Sequence, residues 1–188
     1  MKTLYKSFCA GLKNEHGDVQ WNGKWQHQDG KIEACKNGFH ASKRAIDAML
    51  YVSCEILALV EVKGKKDEEG DKSAHEYMRI KKAYIWKKED SVALAIYAAE
   101  LCIKDFEKEY SDDDRPRKAI EAAKLWLECP CEEHRSAAWS AARSAESAVW
   151  SAASAVWSAA SAASAEKTLD KCEAFVQERI KNLEEYDV

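Results

Sequence analysis

The chain has 188 residues, enough for one large domain or two small ones, and its 46% apolar and 33% charged residues are ordinary for a globular protein. With 29 basic against 33 acidic residues, a net charge of -4 and no charge blocks, it lacks the basic surplus that nucleic-acid binding calls for. The opening "MKTLYKSFCAGLKNEHG" has no apolar stretch of a secretory signal, and seven scattered cysteines, an odd number, imply reduced thiols and a cytoplasmic location.

All seven glycines fall between Gly11 and Gly70, and the only prolines are Pro116 and Pro130. Turn punctuation therefore belongs to the first part of the chain. This predicts an α+β fold class: a small α+β domain over residues 1–88, then an all-α, Ala/Ser/Trp-rich helical domain over residues 89–188. "TLYKSF" reads as the first strand, and "WNGKWQHQDGK" as a turn-rich hairpin with Gly23 and Gly30 in its turns. "SKRAIDAMLYV" places Ala45, Ala48, Met49 and Val52 at helical spacing, with Ser42 as a good N-cap. The largely apolar "EILALVEVKG" reads as a central strand, and "EYMRIKKAYIW" as one or two more. Between them "KGKKDEEGDKS" reads as a charged, solvated loop without calcium-loop spacing.

"EDSVALAIYAAELCIKDFEKEY" opens the helical part, with Asp90 or Ser91 as its cap and an apolar stripe through Val92, Ile96, Ala99, Ile103, Phe106 and Tyr110. In "SDDDRPRKAIEAAKLWLECPC" the carboxylates of Asp112, Asp113 and Asp114 suit a helix N-terminus, Pro116 suits the first turn, and Pro130 ends the helix. From Ser147 to Ala165 the sequence is "SAVWSAASAVWSAASAASA", without charge, Gly or Pro. Ser recurs at alternating spacings of three and four, and Trp139, Trp150 and Trp157 share one face. A helix apolar over most of its circumference is buried. Its Ala and Ser supply little membrane-insertion energy, so no membrane span is assigned. It serves as a scaffold or as a seam for self-association into a homo-oligomer. Helical spacing resumes through Leu169, Cys172, Val176, Ile180 and Leu183, with a break expected at residues 165–168.

Candidate site residues are few. "CPCEEH" brings Cys129, Cys131 and His134 together, but a structural zinc site wants four ligands and the Cys-x-Cys spacing is tight; Cys172 is the one further candidate. It reads as a loop with two incidental thiols, and neither metal nor cofactor is assigned. His40 in "GFHAS" reads first as part of a strand-to-helix turn. Trp21 and Trp25 could act as contact residues or pack in the core. No phosphate loop, Gly-x-Ser-x-Gly elbow or His-Glu-x-x-His motif occurs.

"AIYAAELCIKDFEKEYSDDDRPRKAIEAAKLWLE", followed by the Ala-rich repeat, resembles a bacterial immunity-protein family over residues 90–165. "CKNGFHASKRAIDAMLYV" with the later "VEVKG" and "GDKSA" resembles an uncharacterised domain of phage and prophage proteins over residues 1–88. The order of "GFHAS", "EILALVEV" and "HEYMRI" is also similar to ADP-ribosyltransferases. That similarity implies His40 facing a nicotinamide site beside Tyr5, with Glu76 orienting the ribose, although "TLYKSF" lacks the His or Arg expected to hold NAD. The first two resemblances imply a non-enzymatic protein-binding factor of phage or mobile-element type that neutralises a bacterial defence, toxin or nuclease component. Trp21, Trp25 and Asp112–Asp114 would be its contact residues, and an acidic chain suits a basic target.

Overall fold

The computed structural model describes residues 2–13, 21–50, 54–129, 131–134, 136 and 162–188; Trp139, Trp150, Trp157 and all of the predicted Ser/Ala helix except the backbone of its last four residues lie outside them. The chain forms two units, one of Met1–Lys87 with Glu173–Val188 and one of Lys88–Cys172.

The first unit is built on an antiparallel sheet. Strand β1 (Lys2–Phe8) alternates so that Leu4 and Phe8 enter the core while Thr3 meets solvent. Strand β4 (Ile56–Glu69) pairs with β1 along one edge, from Lys2↔Val62 to Phe8↔Ile56, and with β5 (Lys72–Ile85) along the other. Two short strands, β2 (Gln26–His27) and β3 (Phe39–Ser42), lie successively on the far edge of β5. Strand β3 also meets β1 at Tyr5↔Ser42. The pairings β1–β4, β4–β5, β5–β3 and β3–β1 thus close on themselves. Leu4, Phe8, Trp21, Phe39, Val60, Val62, Met78 and Ile80 fill the interior.

Three expectations change here. "KGKKDEEGDKS" is no loop: β4 runs on to Glu69 and β5 begins at Lys72, with Gly70 at φ +60° in the turn. Its charges escape desolvation because Lys65, Lys66, Glu68 and Glu69 stay exposed while the backbone pairs from Lys66↔His75 to Glu69↔Lys72. "WNGKWQHQDGK" does not pair with itself; its one strand, β2, pairs with β5. Ser42 lies in β3, and helix α1 spans only Ala45–Ala48.

The prediction of an all-α second half is overturned by the end of the chain. Helix α4 (Ala162–Ile180) runs through residues 165–168 without the expected break. The chain then turns and adds strand β6 (Glu185–Tyr186) to β5 through Ala83↔Tyr186 and Tyr84↔Glu185. Helical spacing at Leu183 was misleading because an apolar residue every three or four positions also fits a turn followed by a strand. The Glu173 carboxylate accepts hydrogen bonds from the backbone N–H groups of Ala45 (3.2 Å) and Ile46 (2.9 Å), satisfying donors that α1 leaves open. Gln177 donates to the Tyr5 hydroxyl (3.0 Å), and Val176 is wholly buried. The fold is therefore a six-stranded antiparallel sheet with helices, and its last strand comes from the chain's final residues.

In the second unit, α2 (Lys88–Glu109) and α3 (Arg115–Glu128) pack Ile103 and Phe106 against Ile120. Arg117 forks onto Glu107 (both bonds 2.6 Å), and Lys124 meets Glu100 (2.6 Å). Among the described residues, no helix is long and apolar enough to cross a membrane.

Candidate interaction surface

Alternation along β4 and β5 sends Val62, Met78 and Ile80 inward, which turns Glu61, Lys63, Tyr77 and Arg79 to the outer face. Lys63 lies across from Tyr77, and Glu61 across from Arg79. The pairing of β2 with β5 sets His27 opposite Tyr77, and the rings stack with centroids 4.4 Å apart. Trp25, just before β2, covers two cations: Lys63 Nζ is 4.3 Å from its ring centroid and Arg79 Cζ 4.9 Å. Lys63 is also 5.2 Å from the Tyr77 ring. Glu61 fixes the guanidinium, accepting from Arg79 Nε (2.8 Å) and Nη2 (2.6 Å), and that bond holds its carboxyl below the usual range. Lys63 has no carboxylate partner among the described residues.

Of the two tryptophans expected at this surface, only Trp25 is there. Trp21 is 7% exposed and meets Phe8 and Phe39 edge-on, each at 5.4 Å. Lys63, Tyr77, Arg79, Glu61 and His27 were missed by the sequence reading. The alternation in "EVK" and "YMRI" was visible, but which residues meet across the hairpin depended on recognising that the charged run is strand.

Tyr5, His40 and Glu76 lie on β1, β3 and β5, and each is held by a hydrogen bond. Tyr5 is bonded to Gln177. His40 Nε2 accepts from the Cys35 N–H (2.9 Å), and its pKa is lowered by burial and then by the charges of Lys6 and Lys72. Glu76 accepts from the backbone N–H of Lys65 (2.8 Å) where β4 bulges between Lys63 and Lys66. That bond holds its carboxyl below the usual range, with His27 3.7 Å away. Gly64 makes this bulge at φ +81°, and a Cβ there would sit 2.5 Å from Glu76 Oε2. Gly64→Ala is expected to lower stability by about 1–2 kcal/mol, read from denaturant unfolding. Unchanged stability would show that the bulge does not depend on this backbone conformation.

The acidic run is largely neutralised by its own helix. Asp113 accepts two bonds from the Arg115 side chain (2.8 and 2.6 Å) and one from its N–H (3.1 Å), and Asp114 meets Lys118 (2.7 Å). Asp112 is exposed and is approached by the Ser111 hydroxyl at 3.4 Å. One described group of side chains has donors gathered closely enough for a metal: Cys129, Cys131 and His134. The Cys129 thiol is pushed up by its hydrogen bond with Cys131, whereas Cys131 is pushed down, chiefly by the His134 amide. Cys54 is pushed up to about 12 by burial, while Cys35 and Cys102 are exposed.

Residues 2–90 match a domain of unknown function, DUF7666, and residues 81–180 match a family of unknown function, DUF6931, over more than half of the chain. The chain belongs to the DUF6931 family. No curated protein and no solved structure matches it. The DUF6931 match takes in α2, α3 and α4, and the DUF7666 match takes in β1 to β5, so the Trp25 surface lies within the DUF7666 part.

Proposed function

We propose that this protein is a non-enzymatic binding factor of phage or mobile-element type, cytoplasmic in location, which neutralises a bacterial defence, toxin or nuclease component by occupying its surface. The observation that supports it best is the Trp25–Lys63–Arg79–Tyr77–His27 face. Trp, Tyr and Arg carry most of the energy of protein interfaces. Here Glu61 and the stacked rings hold these groups in place before any partner arrives, which lowers the entropy lost on binding. Lys63 brings a charge with no carboxylate of its own among the described residues. The face therefore suits a partner offering a carboxylate beside an apolar group. The acidic overall charge favours a basic target, but the acidic turn, with Asp113 and Asp114 already paired, is the lesser contact.

Affinity capture from a bacterial lysate tests the reading. One stoichiometric protein is expected, with Trp25→Ala weakening binding by about 2 kcal/mol or roughly 30-fold. Lys63→Glu is expected to act in the same direction, and reversal of Asp112 to have little effect. Full retention by both Trp25→Ala and Lys63→Glu would overturn it. So would recovery of a nicotinamide nucleotide, or of single-stranded nucleic acid stacked on the same rings, in place of a protein.

A further inference from the structure

We propose that Cys129, Cys131 and His134 form a zinc(II) site at the C-terminal end of α3, with its fourth position open to solvent or to an exogenous ligand. The local fold assembles the three donors. α3 stops at Glu128, and the Cys129 N–H closes the last turn on the Leu125 carbonyl (3.0 Å). Cys129 is then extended, at φ -141° and ψ 93°, and the Cys131 N–H turns back to the Cys129 carbonyl at 2.7 Å. Residues 132–134 are helical, so His134 stands one turn beyond Cys131 on the same side.

The outcome is two sulfurs and an imidazole nitrogen within 4.8 Å of one another. Tetrahedral zinc, with Zn–S of about 2.3 Å and Zn–N of about 2.0 Å, needs its donors roughly 3.5–3.8 Å apart. The widest separation exceeds this by about 1 Å. His134 Nδ1 is 3.2 Å from the Cys129 carbonyl. As the donor there, it leaves Nε2 with the lone pair that a metal takes, the usual outer-sphere arrangement for a ligating histidine. Two thiolates balance the charge of one Zn²⁺, and binding releases the two thiol protons to solvent. Cys129 is exposed, and Cys131 and His134 are half-buried, so the ion can reach the site and keep one position free. Cys172 does not join this group; its thiol lies near Cys102.

The experiment is titration of the reduced full-length chain with Co²⁺ and then Zn²⁺, against a chromophoric chelator. One equivalent of Co²⁺ is expected to give a thiolate charge-transfer band and tetrahedral d–d bands, both discharged by one equivalent of Zn²⁺. Cys129→Ser, Cys131→Ser and His134→Ala should each weaken Zn²⁺ binding by about 100-fold or more. Cys35→Ser, at an exposed thiol elsewhere, should change nothing. The Cys→Ser changes are nearly isosteric, and circular dichroism confirms that the helices remain. Absence of the charge-transfer band would overturn the assignment. An undiminished band in the Cys129→Ser/Cys131→Ser double variant would also overturn it, placing the metal on other cysteines.

Discussion

A chain that ends at Cys172 is expected to lose the fold of its sheet, although β1 to β5 are untouched. Residues 173–188 give the first unit the wholly buried Val176, the Glu173 carboxylate over α1, the Gln177–Tyr5 bond and strand β6. Burial of a valine contributes about 2 kcal/mol. Hydrogen bonds to a charged carboxylate contribute about 1.5–3 kcal/mol each, and Tyr186 packs on the core as well. The total lost is on the order of 5 kcal/mol, comparable with the whole stability of a small domain. Amide hydrogen exchange in β1 to β5 reports the result: in the truncated chain it should resemble that of denatured protein. Glu173→Ala isolates one part and should cost about 1–3 kcal/mol. A truncated chain with the unfolding midpoint of the full one would show that the returning segment only decorates the sheet.

The second large effect lies inside the sheet, at Lys6. Leu4 and Phe8 flank it on the inward face, and it pairs with the fully buried Ala58. Its Nζ donates to the His40 carbonyl at 3.1 Å and sits 5.3 Å from the Phe8 ring centroid. Among the described residues no carboxylate pairs with it, and burial lowers its pKa from 10.5 to about 8. The folded state therefore releases the proton more readily than the unfolded one. Below pH 8 both states are charged and the full penalty, about 3 kcal/mol, opposes folding. Between pH 8 and 10.5 the unfolded chain holds more protons, so stability rises with pH, and above 10.5 the penalty is gone. Lys6→Met removes the charge and keeps the stem. At pH 7 it should stabilise the protein by about 1–2 kcal/mol, the loss of the bond to His40 offsetting part of the gain. Other titrating groups are common to both proteins, so the difference between them isolates Lys6. A difference that stays constant from pH 7 to 11 would mean that the ammonium is well solvated.

Where a segment's own pattern decides its structure, the sequence was readable. "TLYKSF" and "EILALVEV" alternate or run apolar as β1 and β4 require, and the stripe through Ile96, Ile103 and Phe106 is the buried side of α2. Non-local pairing defeated the same reasoning. The charged run became strand because β5 lies beside it along its whole length, and Glu185–Tyr186 became strand because the edge of β5 was open to it. Neither partner is signalled by neighbours in sequence. The interaction surface fared likewise: Trp25 stood out by type, but Lys63, Tyr77 and Arg79 gain their meaning only from the register that brings them beneath its ring. "CPCEEH" was visible as a motif, and whether its donors converge depended on the turn at the end of α3.

The division of the first unit into two chain segments has a consequence for synthesis. A ribosome adds about 5–20 residues per second, so the partner of Ala83 emerges roughly 5–20 s after Ala83 itself. During that interval the edge of β5 that β6 will cover stands open, and Glu173 is not yet there to hold α1. Helices α2 and α3, which lie in the intervening segment, can pair in the meantime. The sheet is begun before residues 88–172 and closed after them, and the nascent chain carries an uncovered strand edge until Glu185–Tyr186 has emerged.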